Sequence, residues 1–177
     1  YPYLAARFGE RGKRFTSSDS CWLVALARMP TDTVTRNLNW LRTVLASRGI
    51  PTVILERHLH VISGALAKEF PQQAELSTRF DQFLVGLVAE RRAIRGIDAL
   101  PDLISEFEPR FGASAGPVVA CAASLIAAAW VDERCGIRGA LAALVDWLVD
   151  ASRFSSDWIA ATHELLHRLD GAAELPC

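Results

Sequence analysis

The chain has 177 residues, of which 51% are hydrophobic, with four cysteines and a formal net charge of −1. Such a chain suits one domain that buries roughly 70% of the surface its unfolded form exposes, and it needs neither a disulfide nor a metal for stability. Its charge is uneven: residues 1–95 carry 14 basic and 8 acidic side chains, residues 96–177 carry 5 and 12. This asymmetry suits halves that attract one another or an anion near the basic part. Nucleic acid is a disfavoured partner, because the aromatics do not alternate with the arginines as a single-strand groove requires.

In chain order, Tyr3, Leu4 and Phe8 precede a basic cluster broken by Gly9 and Gly12, which predicts a short helix and a turn. Ser17–Asp19 offer caps for a helix through Cys21, Trp22, Leu23 and Leu26 that ends at Met29-Pro30. Thr31 or Asp32 caps the next, where Val34, Leu38, Leu41 and Leu45 recur every three or four residues and Gly49 closes the turn. Pro51 opens a third helix with a stripe of Ile54, Leu55, His58, Val61, Ile62 and Ala65, with His60 on the opposite side. A fourth, from Gln72 to Arg95, turns Leu76, Phe80, Phe83, Leu84 and Leu87 inward and ends in arginines that suit its dipole. Pro101 begins a short acidic helix.

The stretch Pro117–Val131, PVVACAASLIAAAWV, is apolar on nearly every side. At ~1.5 Å per residue it is far shorter than the ~20 residues a membrane span needs, so it predicts a core helix, at about 117–135, around which the others pack. Ile137–Phe154 is amphipathic, and Ser155–Asp157 cap a last helix that runs through Asp170-Gly171. No stretch alternates like a strand. The expectation is an all-α fold of seven to eight helices in a single domain, residues 1–177, either globin-like or a helical bundle.

Cys21, Cys121, Cys135 and Cys177 have no C-x-x-C spacing, so a zinc knuckle is unsupported. The chain opens without a basic-then-apolar leader, which predicts free thiols in the cytoplasm. His163-Glu164-Leu165-Leu166-His167 satisfies H-E-x-x-H. The helix it sits on buries Trp158, Thr162, Leu165, Leu166 and Leu169, which turns both histidines away from any cleft. A zinc hydrolase is therefore the least favoured reading.

His58 on an apolar stripe is the better candidate: a neutral imidazole there coordinates a metal tetrapyrrole or hydrogen-bonds a linear one. The plain alternative is a core histidine satisfied by backbone or hydroxyl partners. Trp40 and Trp130 would line such a flat ligand, although all five tryptophans sit at core-like spacing. Arg57, Arg7 or Arg11 would pair with its carboxylates. Cys121 reads as a small apolar filler of the central helix or as a thiol attachment point.

Two stretches, RFGERGKRFTSSDS (Arg7–Ser20) and NWLRTVLASRGIPTVILERHL (Asn39–Leu59), resemble the helical domain that precedes cobalamin-binding modules in some bacterial regulators. The resemblance covers roughly residues 7–62. It implies a sensory domain that packs against a tetrapyrrole-type cofactor or transmits its state. The chain lacks the Asp-x-His-x-x-Gly cobalamin motif and any α/β half. The resulting expectation is a non-enzymatic sensory domain that binds haem, a bilin or a cobalamin-like tetrapyrrole between its helices and acts as a homo-oligomer or on a partner regulatory protein, without a membrane. A ligand-free helical interaction or dimerisation module is the alternative.

Overall fold

The computed structural model describes residues 2–112 and 119–174. Among these it has eight α-helices, one 3₁₀ turn at Ile97–Ala99 and no strand. The helices are α1 (Pro2–Leu26), α2 (Thr31–Ala46), α3 (Thr52–Glu69), α4 (Glu75–Arg92), α5 (Leu100–Gly112), α6 (Ala122–Arg134), α7 (Ala140–Leu148) and α8 (Ser156–Glu174). The all-α expectation holds.

The breaks fall where the backbone chemistry allows them. Pro30 and Pro51, at φ near −55°, stand immediately before α2 and α3. Gly49 at φ +77° turns the chain between these helices. Gly96 at φ +81° precedes the 3₁₀ turn, and Gly139, also at +81°, precedes α7. In α1 only Gly9 leaves helical geometry, at φ 53° and ψ −144°, a region that glycine enters without steric cost. Ser17–Asp19 do not cap a new helix as the sequence suggests. They lie inside α1, where the neighbouring Thr16 and Ser20 hydroxyls donate to the carbonyls four residues back.

Two apolar clusters account for most of the interior. One joins the end of α1 to α2, α3 and α4 through Leu23, Leu38, Leu59 and Phe80, all with no exposed surface. The other joins α5, α6, α7 and α8, and takes Tyr3 from the start of α1 and Ile54 from α3. The α6 helix is buried nearly all round, from Ala122 to Asp132. It begins at Ala122, later than the sequence suggests, since Val119–Cys121 are not helical and residues 117–118 lie outside the described part. Glu108 of α5 accepts the Ala123 amide at 3.1 Å and so satisfies one of the free N–H groups at that end.

The clusters meet at two junctions. At one, buried Tyr3 donates to the Gly49 carbonyl and accepts from Arg7 at 2.6 Å, while Arg7 also donates to the Ala143 carbonyl of α7 at 2.8 Å. At the other, Arg42 of α2 faces Asp132 of α6. Among the described residues it is the one ion pair that joins the basic and acidic halves. Among the described residues the charge asymmetry therefore makes an ion pair across the interior at a single point, and the other ion pairs lie within one half.

Candidate functional site

The residues singled out for a tetrapyrrole, His58, Trp40, Arg57, Cys121 and Trp130 foremost, do not converge. His58 is half-buried against α1, with Nε2 2.8 Å from the Ser20 hydroxyl. Burial pushes its pKa down and nearby Asp19 opposes that. Of the stripe expected on α3, Ile54, Leu55 and Ile62 are buried, but Val61 is 57% exposed and Ala65 lies outside, and Leu59 and Leu66 are buried in their place. Helical spacing permits either set, and the helices packed around α3 select between them: Leu59 and Leu66 join the cluster shared with α1, α2 and α4. Arg57 is exposed. Trp40, expected in the core, is 59% exposed and meets Trp22 edge-on.

Trp130 is buried, but its indole N–H donates to Asp170 at 2.9 Å and Arg134 covers its ring. It pins α6 to α8 and has no face left for a ligand. Cys121 is exposed, precedes α6 at φ 65°, and is not a filler of the helix. The H-E-x-x-H residues face outward as their spacing requires. Glu164 pairs with Arg110 at 2.7 Å, and the nearby carboxylate of Asp170 is taken by Trp130 and Arg134. Among the described residues no group of three or more His, Cys, Asp or Glu side chains is placed to hold a metal.

Two other features have the geometry of a site. The first is a polar cavity of about 20 Å³ where the clusters join, lined by Arg42, Thr52, Glu56, Arg91 and Asp132 with apolar neighbours. Arg42 is bound by Glu90 at 2.6 Å and by the Thr52 hydroxyl at 3.1 Å, with Asp132 at 3.9 Å. Asp132 also accepts the Thr52 amide at 2.8 Å, and Arg91 pairs with Glu56. Burial pushes the Asp132 carboxyl above the usual range, opposed by its Thr52 hydrogen bonds and by Arg42. The space suits about one water molecule. With every buried polar side-chain atom among the described residues partnered, it is a structural lock and not a substrate pocket.

The second is an open groove of about 380 Å³ between α3 and α4. Leu84, Val85, Val88 and Ala89 form its floor, His60 stands on the α3 side, and Asp81 and Arg92 mark its ends. Val85 is 69% exposed, the most exposed large apolar side chain described. Of these residues the sequence places Leu84 in the inward stripe of α4, all five members of which are buried, and His60 opposite the α3 stripe, but helical spacing does not mark Val85, Val88 and Ala89 as a surface. The signal was nevertheless present: Val85 and Val88 are apolar residues that the inward stripe does not account for.

Fold and site together define an all-helical protein with a locked polar junction and an open apolar groove, and no described helix is long and apolar enough to cross a membrane. Comparison with family models, curated proteins and solved structures finds no match to this chain.

Proposed function

We propose that this chain is a non-enzymatic helical interaction module that works through the outer face of α3 and α4. The observation that carries the reading is the groove itself, where solvent-exposed valines sit between polar ends. Exposed apolar patches rimmed by polar residues mark interaction sites, and helices commonly dock their apolar faces into such grooves. The resemblance of residues 7–62 to helical domains of bacterial regulators agrees with a role in transmission. To test it, a photo-crosslinking residue is placed at Val85 in the protein in living cells, with His163 as the control position. Protein adducts from position 85 and none from 163 support the reading; their absence from 85 overturns it.

A second reading, a tetrapyrrole-binding sensor, is favoured by one observation. His60 stands beside the apolar floor with Arg92 at the groove's end, an imidazole and a carboxylate partner of the kind such a ligand uses. The groove lies near the lower end of the ~300–1,000 Å³ usual for ligand pockets, and it is open. Haem, biliverdin and cobalamin are added separately to purified protein. A shifted visible spectrum that is lost in His60→Ala supports this reading, and no change with all three rules it out.

A further inference from the structure

The groove has opposite charges at its ends, and the spacing of its α4 residues has a symmetry of its own. A two-fold axis perpendicular to α4, passing between Gly86 and Leu87, exchanges position 81 with 92, 84 with 89 and 85 with 88. Each exchange is chemically matched: Asp81 falls opposite Arg92, Leu84 opposite Ala89, and Val85 opposite Val88. The acid and the base are three helical turns apart, about 16 Å. Neither has an ion-pair partner among the described residues. Asp81 does accept the Ser63 hydroxyl at 2.7 Å, which holds its carboxylate at the rim of the groove.

We propose that the occupant of the groove is a second copy of this chain, with the two α4 helices antiparallel about that axis. The inference rests on the interaction reading above and names its partner. Two-fold pairing places the same patch on itself, so a self-complementary patch is what it requires. An acid at one end of an apolar strip and a base at the other is the simplest such patch. In the dimer, Asp81 of each copy meets Arg92 of the other, and the four valines pack at the centre. A foreign helix would instead need this order of acid, apolar residues and base in its own sequence.

The available area sets the strength. Both helices have 18 residues. At ~1.5 Å per residue and ~10 Å diameter each, the pair offers a footprint of roughly 500 Å² per copy. The total of about 1,000 Å² lies at the threshold for a specific interface, so the dimer is reversible and dissociates on dilution. Its ionic ends are solvent-exposed, so it weakens as salt is raised.

The test is sedimentation velocity on the full chain over a dilution series. Wild-type protein moves from 19.4 kDa towards twice that mass as its concentration rises. Asp81→Arg sets Arg against Arg92, and Arg92→Asp sets Asp against Asp81. Like charges placed face to face disfavour pairing strongly, so each variant alone dimerises at least about tenfold more weakly. An equimolar mixture of the two recovers the dimer, because in a mixed pair both ends are again opposite in charge. Circular dichroism checks that each variant is folded. If Asp81→Arg is not, because it loses the Ser63 bond, Arg92→Asp decides alone, since it removes no described hydrogen bond or ion pair. Three results would overturn the proposal: a wild-type chain monomeric throughout, a dimer that tolerates Arg92→Asp, or two folded variants that fail to pair when mixed. A monomeric chain that still crosslinks from Val85 to a different protein would sink the dimer and leave the interaction module standing.

Discussion

Replacing Arg42 with Met removes the charge at the centre of the buried junction and keeps most of the side chain's length. Arg42 is 6% exposed and Asp132 is 2% exposed. Without the guanidinium, Asp132 is a buried carboxylate left with the Thr52 amide, while Glu90, 40% exposed at its side chain, turns to solvent. Breaking a buried pair by removing one partner costs about 3–5 kcal/mol, a large share of a typical 5–15 kcal/mol total. For a chain of this size that lowers the melting temperature by roughly 6–20 °C. Asp132→Asn retains an acceptor for Thr52 and costs about 1 kcal/mol. The double variant should cost less than the sum of the two by about 1–3 kcal/mol, because the stranded charge is gone. Denaturant unfolding followed by circular dichroism measures all three. Acidity supplies a second check. Burial already raises the Asp132 pKa and Arg42 restrains it, so Arg42→Met raises it further. An acid whose folded pKa lies above its unfolded value loses stability as the pH rises through that interval. The deficit of Arg42→Met should therefore shrink on acidification, and Asp132→Asn should abolish that trend. A loss below about 1 kcal/mol for Arg42→Met, or additivity within ~0.5 kcal/mol, would refute the reasoning.

Gly49→Ala should cost about 2–4 kcal/mol, since φ +77° disfavours any side chain and the added carbon would stand 2.7 Å from the Ala143 carbonyl and against Arg7; chemical denaturation reports it, and a neutral result would mean the Tyr3 junction is loose. His58 has a lowered pKa, chiefly through burial, so its contribution is complete above the ordinary histidine pKa and is lost as the pH falls from there through its lowered folded value. Thermal melts of His58→Gln should accordingly show a flatter acid limb than the wild type, and an unchanged limb would contradict this. Changing His163 and His167 together to Ala should alter stability by no more than about 0.5 kcal/mol, as for other surface positions, and elemental analysis should find no stoichiometric zinc; one tightly held zinc lost in the double variant would revive the hydrolase reading.

Residue spacing alone determined that the chain is helical, that it breaks near Pro30, Gly49 and Pro51, which face of α4 is buried, and that the H-E-x-x-H pair points outward. These are local matters, decided by steric rules within a few residues and by the helical period. It did not determine which of two permitted stripes of α3 faces inward. Leu59 and Leu66 are buried instead of Val61 and Ala65 because α1, α2 and α4 pack on that side of α3, and His58 meets the Ser20 hydroxyl on α1. Nor did it reveal that α1 continues through Ser17–Asp19, because those residue types cap a helix or sit exposed on one equally well. The Arg42–Asp132 junction joins residues 90 positions apart, and Val85 is distinguished only by the absence of a neighbour over it. Pairing across such separations, and exposure of an apolar residue at a position that helical spacing permits, depend on how whole helices pack, so tertiary structure alone decided them.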